Sequence, residues 1–486
     1  MNRTRALCVF LATALCVVDA QAGTSLGTGT GTGTGAAPAS DAAGGDVTAP
    51  PPLDLELATA RCGNLRSESA LTLLDAARRA LCANPRTRQA WAAVEAQKAV
   101  VGARKADYWP KLSASAAIGR VTADAQVPGH SELNSSFSGT SNELRLDLNW
   151  LLFDFGMRDA SQGYETGLLT VALTTLDGAV QSVFLETAET YFKAQSSFAA
   201  LEAATQAEHL ARQILEVVTA KVDAGAGLES DRLQARATVA QASLDRVRTQ
   251  SAYRGAIGTL AVALHLRPNV EITLAPMPAS SELTRQTLPA IEALVGRALN
   301  TNPAVLAARA RLDAARRAEQ VARTAGRPQL ALIAAGVRSD TPVDRVATRQ
   351  TIDTTSVGVQ LTVPLFDGQS RRSRIRQSEA DALDRDAQLF SASREVENQV
   401  WTSYVGVVSS TDELEVCREL LAAAEASYEL ALGRYRSGIG GMLELLSAQS
   451  TVASARMQAA SVTTQERLRR IRLSASLGTI DFDALQ

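Results

Sequence analysis

Leu73-Leu74-Asp75-Ala76-Ala77-Arg78-Arg79-Ala80-Leu81-Cys82-Ala83-Asn84-Pro85 returns later in the chain as Ala293-Leu294-Val295-Gly296-Arg297-Ala298-Leu299-Asn300-Thr301-Asn302-Pro303. Pro110 follows Pro85 by 25 residues (110 − 85), and Pro328 follows Pro303 by the same 25 (328 − 303). Leu152-Phe153-Asp154-Phe155-Gly156 is answered by Leu365-Phe366-Asp367-Gly368, and both Asp154 to Gly225 and Asp367 to Gly438 span 71 positions (225 − 154; 438 − 367). One interval drifts: Pro110 to Asp154 spans 44 and Pro328 to Asp367 spans 39 (154 − 110; 367 − 328). A duplicated unit that keeps most lengths to the residue while one segment varies contains a fixed-length device and a tolerant loop. That is a spacer rather than an active site.

Asn84 and Asn302 read as helix N-caps with Pro85 and Pro303 in the first helical position. Each opens a helix of about 23 residues that Pro110 or Pro328 stops. Asp154 and Asp367 read as caps of the next helices, 155–222 and 368–436, which run without proline to tip turns at Gly225 and Gly438. Some 65 to 70 helical residues rise about 100 Å, wider than a single globular core. Returning helices are expected over 229–267 and 442–470. The expected seams are Leu414, Cys417, Leu421, Ala424, Tyr428, Ala431 and Tyr435 against Leu446, Ser450, Ala453, Met457 and Ala460. In the first copy they are Ala211, Leu215, Val218 and Val222 against Leu233, Ala237, Ala240, Leu244 and Val247. Steps of three and four predict antiparallel coiled-coil pairs.

After Pro110 and Pro328 the period becomes two. Leu144, Leu146, Leu148, Trp150 and Leu152 alternate with Arg145, Asp147 and Asn149, and Val357, Val359, Leu361, Val363 and Leu365 alternate with polar or small residues. Hairpins are expected over 111–153 and 329–366, with strands of about ten residues, a length that suits an outer-membrane strand. Tyr108, Trp109, Trp150, Phe153, Phe155 and Phe366 gather at the strand ends as an interfacial girdle would. Four strands do not close a barrel, and an open edge facing lipid leaves backbone groups unpaired. Other subunits must finish the wall: two chains give eight strands, three give twelve.

Composition narrows the rest. A net charge of −2 with 21% charged residues leaves no basic surface for nucleic acid. Arg3 and Arg5 precede the apolar run from Ala6 to Val18, and Ala20-Gln21-Ala22 is a small-x-small cleavage pattern, so 1–22 reads as a secretory signal. Leu15 directly before Cys16 argues against a lipid anchor there. Residues 23–52 are a disordered Gly/Thr/Pro-rich lead-in, in which Gly23-Thr24-Ser25-Leu26-Gly27 lacks the strand and helix a nucleophile elbow requires. Elsewhere no stretch approaches the roughly 20 uninterrupted apolar residues of a spanning helix. In an exported protein Cys62 and Cys82 are spaced to close a short disulfide loop; the alternative is that they, like Cys417, are small buried apolar side chains. Three histidines, no metal-spaced cluster and no nucleophile in context leave no enzyme, cofactor or catalytic group to expect.

The doubled Asn-Pro, the Leu-Phe-Asp start of each long helix and the Arg434-Tyr435-Arg436-Ser437-Gly438 stretch leading to Leu446 together resemble the TolC family of bacterial outer-membrane channel-tunnels. The resemblance covers nearly the whole chain from about Leu71. It implies a mainly α fold with transmembrane β, in two copies, 53–270 and 271–486. It implies a homotrimer whose twelve strands share one barrel in the outer membrane, above a periplasmic helical barrel with an equatorial belt from 53–82, 269–290 and 471–486. The partners it implies are a periplasmic adaptor, an inner-membrane ABC or proton-driven transporter, and outer-membrane lipid. It further implies a gate at the periplasmic tip, with Asp231, Tyr435 and Glu444 on the family's gate positions. Ser447 and Gly440 depart from that pattern, standing where a second acidic ring and an arginine linker are expected. The sparser gate favours a type I secretion outlet, such as one exporting a cyclolysin-like repeat-in-toxin protein, over a multidrug efflux duct. A periplasmic coiled-coil adaptor is the further alternative. Arg371, Arg372, Arg374 and Arg376 open the second long helix against its dipole, as a solvated face or as contacts to lipid phosphates.

Overall fold

The computed structural model describes residues 70–131, 134–276, 289–342 and 349–479, all within one unit, Glu56–Gln486. The signal, the lead-in, Cys62 and much of the expected belt lie outside the described residues. The first copy comprises α1 (Leu73–Ala83), α2 (Pro85–Ala106), β1 (Lys111–Ala125), β2 (Ser135–Phe153), α3 (Met157–Asp223) and α4 (Glu229–Ala263). The second comprises α5 (Ile291–Thr301), α6 (Pro303–Thr324), β3 (Gln329–Pro342), β4 (Arg349–Thr362), α7 (Ser370–Arg436) and α8 (Met442–Ser476). Corresponding helices have identical lengths of 11, 22, 67 and 35 residues. At 1.5 Å per residue the long pair are rods of about 100 Å.

The duplication is repeated in the local chemistry. Asn84 and Asn302 share a φ of −68°, and each side-chain oxygen accepts from the backbone N–H two residues on, Arg86 at 2.8 Å and Ala304 at 2.9 Å. The long helices begin two residues later than expected, at Met157 and Ser370, because two left-handed residues follow each aspartate. These are Phe155 and Gly156 in one copy, Gly368 and Gln369 in the other. The aspartates still cap from outside: Asp154 accepts from the Arg158 N–H at 2.9 Å and Asp367 from the Arg371 N–H at 3.0 Å.

Asp154 also grips the Arg158 guanidinium at 2.9 Å, both side chains nearly buried. Arg158 in turn donates to the Leu151 and Leu152 carbonyls and lies over the Tyr108 ring, locking strand to helix. The second copy lacks this burial. Asp154→Ala is therefore expected to lower stability by about 2–3 kcal/mol and Asp367→Ala by about 1 kcal/mol, read as shifts in the thermal midpoint of the purified protein.

The strands form one antiparallel sheet in the order β1-β2-β3-β4. They hold 15, 19, 14 and 14 residues, longer than the ten or so expected. β4 stops at Thr362 because Pro364 has no N–H for the ladder. Register carries the alternation across the whole sheet. Leu148 sits between Leu112 and Ala334, which is opposite Val357, and Leu146 sits between Ala114 and Gly336. One face is thus apolar from Leu144 to Leu152, about 30 Å along the strand and a little over 20 Å tall at a barrel tilt. Leu112, Leu144, Val357, Val359 and Leu361 on it are exposed. Toward the hairpin ends the same face turns polar, with Asn142 opposite Asp340 and Arg338 3.8 Å from Asp353. The extra strand length is therefore polar wall outside the apolar band. On the other face Arg145 and Asp147 pair at 2.7 Å. At the band's lower rim Trp109 and Phe366 are exposed, Phe153 packs edge-on to Phe155, and the Trp150 indole donates to the Tyr108 carbonyl at 3.0 Å.

Beneath the sheet α3 packs against α2 and α6 and, farther down, α4 and α8; α7 packs on α6 and α8. By length and composition alone one stretch of α3 could cross a membrane, which the sequence reading did not anticipate; 22% of that stretch is buried. The long-helix seam residues Ala211, Val218, Cys417, Ala424, Tyr428, Ala431 and Tyr435 are buried as expected. The returning seams are corrected. α8 buries Met442, Leu445, Ala448, Gln449, Val452 and Ala455 rather than the stripe through Leu446, Ala453 and Met457. On α4, Leu233, Leu244 and Val247 are exposed, while Ala235 is buried. Periodicity marks an apolar stripe but not which neighbour covers it. α4 is instead tied to α3 by Glu208, which accepts from Ser243 and Arg246, both at 2.6 Å. Leu71 pairs in parallel with Leu274, an element of the expected belt. Cys82 is disulfide-bonded, Cys62, the partner expected for it, lying outside the described residues, and Cys417 is a buried free thiol.

Candidate functional site

At the end of the rods remote from the sheet both long helices turn back through a left-handed glycine, Gly225 (φ 72°) and Gly438 (φ 82°). The Ala226 N–H donates to the Lys221 carbonyl and the Gly225 N–H to that of Val222, both at 2.9 Å. The Ile439 N–H donates to Arg434 at 3.0 Å and the Gly438 N–H to Tyr435 at 3.1 Å, the same pattern. These nested bonds close a helix by the Schellman motif, which needs a residue free to adopt positive φ. The motif puts Lys221 and Arg434 at equivalent places in the last turn, where cations suit the helix dipole.

Those two cations organise the tip. The Lys221 ammonium crosses from α3 to donate to the Tyr435 carbonyl and lies 4.4 Å from the centre of the Tyr435 ring. Tyr435 is 5% exposed. Burial pushes its phenol above the usual tyrosine range, and the negative charge of Asp231 pushes the same way, so it stays neutral and can donate. Arg434 pairs with Glu444 at 3.0 Å, both partly exposed. Arg232 spans the first turn, 2.7 Å from Glu229 and 3.4 Å from Asp223. Asp231, Tyr435 and Glu444 thus gather at one tip, Asp231 coupled to Tyr435 across the two hairpins and Glu444 held within its own.

Lys221 escaped the sequence reading, and Arg434 entered it only as part of a motif stretch. Lys221 and Arg434 are separated by the same 213 positions (434 − 221) as the aspartate caps (367 − 154), so comparing the copies residue by residue would have found them. Gly440, where the resemblance places an arginine linker, is tightly surrounded. A Cβ at Gly440 would lie 3.0 Å from the Arg434 Cβ and 3.2 Å from the Tyr435 nitrogen, too close for a side chain without a shift. Ser447 is exposed and adds no carboxylate. Among the described residues no group of three or more His, Cys, Asp or Glu is placed to hold a metal.

The family model described as outer membrane efflux protein matches residues 76–264 and 294–479, one segment in each copy. Protein CyaE of Bordetella pertussis is 30% identical over 419 residues, 85% of this chain and 86% of that protein. Outer membrane protein TolC of Escherichia coli is 24% identical over 311 residues, covering 62% of each chain. The alkaline protease secretion protein AprF of Pseudomonas aeruginosa is 24% identical over 389 residues, 79% of this chain and 80% of that one. Among solved structures, the outer-membrane channel OprN superposes with a TM-score of 0.70 at 22% identity, covering 84% of this chain and 89% of that one.

Proposed function

Because the chain belongs to the outer membrane efflux protein family, and so to the outer membrane, we propose that three copies assemble into a duct carrying cargo from an inner-membrane pump to the exterior. One observation carries the assembly: a four-stranded sheet with an apolar outer face and two edges left unpaired among the described residues. Such edges do not persist in lipid, and of the two smallest closures, eight strands from two copies and twelve from three, the larger leaves an aqueous lumen. Below the barrel the paired rods continue the wall across the periplasm to the tip, where a periplasmic adaptor and an ABC or proton-driven transporter would dock.

At that tip Asp231, Tyr435 and Glu444 act as the gate. Three copies of Asp231 form a ring that repels anions and favours cations. Lys221 bolts one hairpin to the other, and the Arg434–Glu444 pair stiffens the second turn. Similarity to CyaE and to AprF over most of their lengths supports a type I secretion outlet as the duct's service. The family description favours small-molecule efflux as the second reading. Gene deletion separates them: a missing exoprotein in the culture supernatant with normal dye efflux supports secretion, and the reverse overturns it.

The duct itself is tested in planar bilayers. The purified protein is expected to conduct at low resting level with cation preference; a water-soluble monomer without conductance overturns the reading. Lys221→Met removes a charge-assisted hydrogen bond worth about 1.5 kcal/mol, so the ratio of open to closed tips rises about tenfold per bolt. Resting conductance should rise accordingly while trimer yield stays unchanged.

A further inference from the structure

We propose that a recess in the wall of each chain, where α6 meets the end of α8, binds acidic stretches of an extended polypeptide passing through the lumen, with Arg311 as its anchor. The inference rests on the channel reading and adds to it a contact between duct and cargo.

The recess measures about 760 Å³ and is walled by four helices of one chain: α3 from Thr174 to Leu185, the start of α6, α7 from Gln388 to Ser403, and the end of α8. Space is left because much of the lining ends at Cβ or before it, as at Gly178, Ala304, Ala307, Ala308, Ala392 and Ala475. Helix geometry gives the side on which it opens. α1 packs on α3 and its counterpart α5 on α7, a second layer that would plug a duct if it lay inside one. That layer therefore marks the outer side. On α6 the Arg309 guanidinium donates to the Leu299 carbonyl of α5 at 3.5 Å, so Arg309 is on the outer side too. Arg311 follows about 200° further round the helix, toward the lumen.

The lining is selective in its chemistry. Among the described residues no carboxylate lines it. Arg472 is already neutralised by Glu189, which accepts from two of its N–H groups at 3.0 and 2.7 Å. Arg311 is exposed and makes no ion pair among the described residues. Thr174, Thr175, Ser182 and Thr402 give their hydroxyl hydrogens to carbonyls of their own helices, which leaves their oxygens as acceptors. The recess thus offers one uncommitted guanidinium among acceptor oxygens. A glutamate or aspartate carboxylate suits the guanidinium, and the backbone N–H groups beside it suit the hydroxyls. A bare phosphate would set its own oxygens against those acceptors.

The duplication shows that the fold does not require these charges. Subtracting 218 (303 − 85) takes Arg311 to Ala93, and the other offset of 213 (367 − 154) takes Arg472 to Thr259 and Glu189 to Thr402. Helices of identical length form in both copies whichever residues stand there.

The test is a planar bilayer holding the purified trimer, with hexaglutamate added on the side to which the barrel opens, so that it need not pass the Asp231 ring. The peptide should interrupt the current in discrete events. Arg311→Gln should shorten those events about tenfold, the loss of one charge-assisted contact. Arg309→Gln, on the outer side, should leave them unchanged. Events of equal length in Arg311→Gln, or an equal loss in Arg309→Gln, overturn the site. Inorganic phosphate that displaces the peptide at a comparable concentration overturns the peptide assignment. If Arg311→Gln fails to assemble, Arg311→Lys decides: the retained charge should keep the events, shortened less than tenfold, and their complete loss or an unaltered length overturns the anchor. A protein that conducts no current overturns the channel reading and the recess with it.

Discussion

Arginine in place of Leu148 abolishes the outer-membrane trimer, whereas arginine in place of Ala335 leaves it intact. The two sites lie on adjoining strands at the same height and differ in face. Leu148 is at the centre of the apolar band, flanked by Leu112 and Ala334, where a cation can reach neither rim. A charge at that depth costs about 2–4 kcal/mol per chain, and a trimer bears it three times. Ala335 lies directly opposite Asp147 on the polar face, beside the Arg145–Asp147 pair, so a new guanidinium there meets a carboxylate and a wet lumen. The measurement is heat-modifiable migration of membrane fractions: Leu148→Arg should yield monomer or degraded protein, and Ala335→Arg a full trimer band with weaker cation preference. Equal tolerance at both sites would mean that the apolar band does not face lipid.

Much of this fold is legible in the chain because its devices are local. Asn-Pro caps, Gly225 and Gly438 at the turns, and the strict period of two from Leu144 to Leu152 each act within a few residues, and duplication doubles every signal. What escaped depends on neighbours. The stripe from Leu233 to Val247 is apolar at helical spacing, yet one chain leaves it uncovered. The pairing of β2 with β3 joins the two copies and has no local signature. The helix starts moved by two residues because consecutive left-handed residues, Phe155 and Gly156 or Gly368 and Gln369, are a conformation that glycine at only one of the two places does not announce. At the tip Asp231, Tyr435 and Glu444 are singled out by resemblance. Lys221 was missed because a lysine on an exposed turn is usually a solvated charge, and its role depends on a carbonyl 214 residues away.

Gly478→Ala carries the largest stability loss expected of any single methyl in this chain. Gly478 closes α8 with a φ of 78°, its N–H bound to the Ala475 carbonyl at 2.9 Å. A Cβ there would lie 2.6 Å from the Asn302 Cα and from the Thr301 carbonyl oxygen, and 2.7 Å from the Asn302 nitrogen. All three are backbone, at the α5–α6 corner, and cannot rotate away. That corner also satisfies the end of α8: Thr301 donates to the Leu477 carbonyl at 2.5 Å and Asn302 to that of Ser476 at 2.9 Å. Pushing the corner back breaks both bonds as well as straining φ. The left-handed conformation alone costs alanine about 1–2 kcal/mol, and with two part-buried acceptors left unpaired the total reaches about 4 kcal/mol. The equivalent position in the first copy supplies the control. His265, 213 residues earlier (478 − 265), already holds a φ of 55° with its own N–H bound to the Val262 carbonyl. His265→Gly should be neutral or stabilising by up to about 1 kcal/mol. Thermal dissociation of the two purified variants in detergent measures both. A drop for Gly478→Ala no larger than an ordinary surface substitution would mean that the α8 end and the α5–α6 corner are not in contact, and the close of the second repeat would have to be rebuilt.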